Sequence, residues 1–200
     1  MRRLLLSSLL LSSFFTLLLF TSTPPTLAQL SDAPQNYAQD IDLFFSRGAQ
    51  SYIAWQYSGD VSNPIENDRF SFFSGGPTCQ VLQQKGQQYP GRIGVNVHAL
   101  SNKTTSEISA ILNYVRDNCG ASIVRFWGFG SPTSILNVMQ VIRSLNMRAI
   151  IALEDFGTTN SIPWYTSGYT ATYLSHAQAV AQALVTGGFL NSLYVLELAN

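Results

Sequence analysis

From Arg92 onward the chain alternates between two hydrophobic rhythms. Compact apolar runs end in polar or aromatic residues at Ile93–His98, Ser122–Trp127, Arg148–Asp155 and Tyr194–Asn200. Runs of this length, bounded by turn residues, predict buried strands. Between them apolar residues return every third or fourth position, the period of a helix with one buried face. Ile108, Ile111, Leu112 and Val115 make one such face. Ile135, Val138, Met139, Ile142 and Leu145 make a second, and Tyr173, Leu174, Ala177, Val180, Ala181 and Leu184 a third. The helix boundaries are marked as well. Thr104 with Glu107 is a capping-box pattern, Ser131-Pro132 opens the next helix, and Gly120 and Gly187-Gly188 are stops.

Upstream the pattern is looser. Asp32 and Pro34 open a helix whose inner face is Tyr37, Ala38, Ile41, Phe44 and Phe45, closed by Gly48. Ser51–Tyr57, aromatic and β-branched between Gly48 and Gly59, reads as a further buried strand. A polar loop follows from Asp60 to Arg69. Pro77–Gln84 predicts a short helix stopped by Gly86, and Gln87–Gly91 a polar connector containing Pro90 and Gly91. A polar loop with Trp164 and Tyr165 precedes the last helix.

Strands separated by helices mean repeated right-handed βαβ units and a parallel sheet. An open doubly wound sheet would carry a Gly-rich phosphate turn after its first strand, and Asn96-Val97-His98-Ala99-Leu100 has none. The expected fold class is therefore α/β: a partial (β/α)8 TIM barrel of about five parallel strands alternating with helices. Barrels carry their chemistry at the C-terminal ends of the strands. Here those ends hold Asn96 and His98, Arg125 and Trp127, Glu154 and Asp155, and Asn200.

Composition narrows the class. With 46% apolar and 12% aromatic residues in 200, the chain is globular and long enough for one domain. Residues 1–28 read as a secretory signal: Arg2 and Arg3, a Leu/Phe-rich run from Leu4 to Phe20, then Thr26-Leu27-Ala28 at the cleavage positions. The alternative for this run is an uncleaved membrane anchor. Removing the leader takes away Arg2 and Arg3 and leaves nine basic against eleven acidic residues, a net charge of −2. No long basic run exists to hold a nucleic-acid backbone. Cys79 and Cys119 fit no metal-site spacing. In an exported chain they form one disulfide or stay as two buried thiols. No metal or cofactor is expected.

The strand ends also resemble a known family. Ile93-Gly94-Val95-Asn96-Val97-His98 resembles the first barrel strand of clan A glycoside hydrolases, family five above all. Val124-Arg125-Phe126-Trp127 is similar to the Val-Arg motif of their second strand. Leu196-Glu197-Leu198-Ala199-Asn200 is similar to the fourth, where a Glu-Leu-x-Asn run leads into the acid/base glutamate. The segment from Gly48 to Asp60 resembles the eighth strand, whose tryptophan stacks on a sugar, yet it precedes the first strand instead of following the seventh.

That resemblance implies a truncated and permuted barrel. Residues 29–88 would supply the closing eighth unit and residues 89–200 strands one to four. It implies a secreted enzyme, extracellular or periplasmic, of mannanase or cellulase type, which cleaves β-linked polysaccharide or oligosaccharide with retention. Arg125 and Asn200 would line the innermost subsite, the arginine supporting the nucleophile's carboxylate and the asparagine bonding the sugar 2-hydroxyl. Trp55 and Trp127 would stack on sugar rings, with His98, Asn96 and Glu154 as further substrate contacts.

Each of these residues also has a structural alternative. Arg125 could sit in a buried ion pair, His98 could be a satisfied structural group, and the tryptophans, Trp164 among them, could fill the core. Retention needs two carboxyl groups about 5–5.5 Å apart. Neither of the family's catalytic glutamates has a counterpart in residues 1–200. Glu154 and Asp155 are adjacent and point to opposite faces of a strand. Glu197 matches the family's supporting glutamate. A non-catalytic carbohydrate-binding or remnant barrel is the competing expectation, and unpaired sheet edges would favour self-association. His176 is expected on an exposed helix face, and Asn102-Lys103-Thr104 is a glycosylation sequon beside the active face.

Overall fold

The computed structural model describes residues 34–60, 63–64, 71–128, 130–153 and 171–198, with backbone alone at 34–36, 60, 63 and 64. The expected leader, Glu154, Asp155, Trp164, Tyr165 and Asn200 lie outside the described residues. In chain order the elements are α1 (Pro34–Ser46), β1 (Tyr52–Ala54), β2 (Gly59–Asp60), β3 (Asn63–Pro64), α2 (Pro77–Gln88) and β4 (Ile93–Asn96). They continue with α3 (Thr105–Cys119), β5 (Ile123–Trp127), α4 (Pro132–Ser144), β6 (Arg148–Ala152), α5 (Ala171–Thr186) and β7 (Leu193–Glu197).

Five strands form one parallel sheet in the order β1-β4-β5-β6-β7. The order never reverses, so the described sheet has no switch point of the doubly wound kind. Successive helices pack side by side, α1 on α2, α2 on α3, α3 on α4 and α4 on α5. The architecture is α/β with strands and helices alternating in a partial-barrel arrangement.

Alternation along the strands divides the sheet into two faces. Ala54, Ile93, Val95, Val124, Phe126, Ala149 and Ile151 belong to the core shared with the helices. That core is filled from the other side by Ile108, Leu112, Val115, Ile135, Val138, Met139, Ile142, Val180 and Leu184. The opposite face runs in levels set by register. Ile53, Gly94, Ile123 and Arg148 lie side by side, then Asn96, Arg125, Ile150 and Val195, then Trp127, Ala152 and Glu197. Gly94 fits its level because a Cβ there would stand 2.5 Å from Ile53 Cδ1 and 2.9 Å from Ile123 Cβ.

Capping follows the sequence. Thr104 Oγ1 accepts from Glu107 N–H at 3.3 Å while Glu107 Oε2 accepts from Thr104 N–H at 2.8 Å. The Thr104 hydroxyl also donates to Glu107 Oε2 at 2.6 Å, and this bond, then the one from Thr104 N–H, holds the Glu107 carboxyl below the usual range. Ser131 Oγ accepts from Ser134 N–H, and Gly120 ends α3 at φ 64°.

Several expectations are corrected. Helix α2 does not stop at Gly86 but runs to Gln88. Gly86 serves packing: a Cβ would stand 2.6 Å from Gly120 O, where α2 and α3 touch. Beside this contact Cys79 and Cys119 form a disulfide with Cα atoms 4.3 Å apart. Phe44 was expected inward but is 54% exposed. Tyr37, Ile41 and Phe45 share a stripe four residues apart, and Phe44 lies beside it, edge-on to Tyr52. Leu174 also faces out, whereas His176, expected in solvent, is half-buried. The Ser51–Tyr57 strand is shorter than its apolar run. Its ladder covers Tyr52–Ala54, the Trp55–Gln56 peptide is cis, and Tyr57 N–H returns to Asn96 O at 2.9 Å. The polar stretch after it contains the two-residue pairing of β2 with β3. Among the described residues no helix is long and apolar enough to cross a membrane.

Candidate functional site

Arg125 is the centre of the site. It points to the face away from the helices and is only 6% exposed. A buried guanidinium without acceptors would cost several kcal/mol, roughly the penalty for an unpaired charge. Register supplies the acceptors. Asn96 is its direct neighbour on β4, and Arg125 Nη1 donates to Asn96 Oδ1 at 3.0 Å. Glu197 reaches it from β7, two strands away on the same face. Arg125 Nη2 donates to Glu197 Oε2 at 2.7 Å and Nε to the same oxygen at 3.1 Å. The pair is asymmetric in exposure, with 8% of the arginine side chain accessible against 25% of the glutamate's.

Aromatic rings border this pair. Arg125 Cζ lies 5.0 Å from the centre of the Trp127 ring and 6.0 Å from that of Trp55. The His98 ring meets both tryptophans edge-on, with centroids 4.9 Å from Trp55 and 5.4 Å from Trp127. These contacts have backbone support. Trp127 N–H donates to His98 O at 3.1 Å, and Ser101 Oγ donates to Trp127 O at 3.1 Å. Tyr37 reaches across from α1 to donate to Trp55 O at 2.8 Å.

Of the sequence-derived candidates, Trp55, Asn96, His98, Arg125 and Trp127 therefore meet at the C-terminal ends of β1, β4 and β5. Glu197 joins them. Asn200 and Glu154 fall outside the described residues. Asn96 is fully buried, and its Nδ2 amide has no acceptor among the described residues. The Arg125 bond to Oδ1 fixes which way that amide faces. An orphaned buried donor of this kind calls for an acceptor from a ligand or water. Ser101 and the fully buried Gln56 escaped the sequence reading. A polar glutamine inside the apolar Ser51–Tyr57 run was a usable signal for one, and a serine in a polar turn gave none for the other.

The chemistry available is limited by one fact. Among the described residues around Arg125, Glu197 is the one carboxylate, and the guanidinium occupies it. In that pairing the glutamate orients and neutralises the arginine. No cluster of three or more metal-ligating side chains occurs among the described residues. The strand ends thus bring together two indole rings, of which Trp127 is buried, one amide donor and a self-neutralising ion pair. Compared with family models, curated proteins and solved structures, the chain finds no match in any of the three.

Proposed function

We propose that the chain belongs to a secreted carbohydrate-active barrel of the glycoside hydrolase type, which acts on β-linked polysaccharide at the mouth formed by Trp55, Asn96, His98, Arg125 and Trp127. One observation carries this reading. Two tryptophans flank a buried, charge-satisfied arginine beside an amide donor with no acceptor among the described residues. Sugar rings offer apolar C–H faces for the tryptophans and hydroxyl acceptors for the amide. Hydrolysis with retention would need two further carboxyl groups beyond the Arg125–Glu197 pair.

The engagement of Glu197 by Arg125 favours a second reading, in which the described residues hold the glycan and do not cleave it. One experiment separates the two. The protein is incubated with β-mannan, cellulose and mixed-linkage β-glucan, while new reducing ends and retention on the immobilised polymers are both measured. Release of reducing ends that Trp55→Ala or Trp127→Ala lowers at least about fivefold supports the enzyme, since each stack contributes roughly 1 kcal/mol or more. Retention without release supports the binding protein. Neither retention nor release on any polymer overturns both.

A further inference from the structure

We propose that a cavity at the opposite end of the sheet binds an oxyanion of the sulfate- or phosphate-ester type. The cavity, about 560 Å³ in volume, opens at the N-terminal ends of β5, β6 and β7. Arg143, Arg148, Asn146, Asn191, Ser122 and Ser192 line it, and none of its described lining residues is acidic. Both guanidinium groups are held in place. Arg143 lies 4.3 Å over the Phe189 ring and donates through Nη1 to Gly187 O, and Arg148 lies 4.4 Å over the Tyr194 ring and donates through Nη2 to Gly91 O. Neither has a carboxylate partner among the described residues.

Helix capping accounts for part of this arrangement, because Arg143 stands in the last turn of α4, where a cation is favourable. It does not account for two fixed cations facing one uncharged polar cavity. A guanidinium carries five N–H donors, and each of these gives one to a carbonyl. The remainder suit the planar, multi-acceptor face of an oxyanion, and the amides of Asn146 and Asn191 add neutral donors. This site lies at the far end of the strands from Arg125, and its failure would leave the carbohydrate reading untouched.

The test titrates the full chain with inorganic sulfate and with inorganic phosphate by calorimetry. Saturable one-to-one binding is expected, and the anion bound more tightly tells a sulfate ester from a phosphate ester. Arg143→Gln and Arg148→Gln should each weaken it about tenfold or more. Asn191→Asp guards against misfolding as the explanation. It adds a negative charge to the cavity and spares both arginine–carbonyl bonds, and it should weaken binding as much. Arg116→Gln, on α3, should leave it unchanged. No saturable binding of either anion, or binding that Asn191→Asp leaves intact, or an equal loss in Arg116→Gln, overturns the proposal.

Discussion

Arg125 shows what a single residue can and cannot announce. A charged side chain inside an apolar strand must find a partner, and that requirement is visible in the sequence. The partner is not visible. Glu197 lies 72 residues away, and only the registers β5 to β6 and β6 to β7 bring it to the same face. The family resemblance implies a nucleophile's carboxylate beside the arginine, and among the described residues its acceptors include Glu197 and Asn96. The energetics of this pair can be checked. Glu197→Ala should destabilise the fold by about 3 kcal/mol, near the lower end for breaking a buried pair because the glutamate is partly exposed. Joint replacement, Arg125→Met with Glu197→Leu, should recover much of that loss, since no buried charge is then left unpaired. Urea denaturation of the single and double variants measures both. Equal destabilisation in the two would show that the ion pair holds nothing specific.

At the level of elements, periodicity and caps located the helices well, and contacts between helices explain the misses. Gly86 looks like a stop in a local window, yet its lack of a Cβ lets α2 approach Gly120. Phe44 satisfies a helical spacing but falls outside the stripe that meets the sheet. The same α2–α3 contact carries the disulfide, which closes a span of 40 residues. Chain entropy for such a span gives about 4 kcal/mol, so Cys79→Ser with Cys119→Ser should lower the unfolding free energy by roughly 2–5 kcal/mol. A thermal melt unchanged by the double substitution would contradict this.

Helices α1 and α2 are joined differently. Lys85 Nζ donates to both oxygens of Asp42 at 2.6 Å, and Tyr89 Oη donates to Oδ1 at 2.9 Å. The bonds from Lys85, then Tyr89, hold the Asp42 carboxyl below the usual range. A depressed folded value stabilises above the unfolded value, and the gain disappears as pH falls through the folded one. Wild type should therefore melt higher than Asp42→Asn at neutral pH. The two curves should converge as pH drops below about 3.9. A constant gap across that range would remove the linkage.

For the whole molecule, alternation of strand and helix made the parallel sheet legible before any coordinates. The unusual placement of a tryptophan-bearing strand ahead of the regular repeat pointed to the pairing of β1 with β4. Sheet order was thus readable because each unit repeats the same βαβ step. The composition of the mouth was readable only in part. Residue types at strand ends are local facts, but the meeting of Trp55 with His98, and of Arg125 with Glu197, depends on curvature and register that local sequence does not encode.

The unbroken strand order has a consequence for how the molecule is made. Each strand leaving the ribosome from β5 onward finds its hydrogen-bonding edge already laid down by the strand synthesised just before it. Assembly can keep pace with synthesis, one repeat at a time, with a single helical crossover to close at every step.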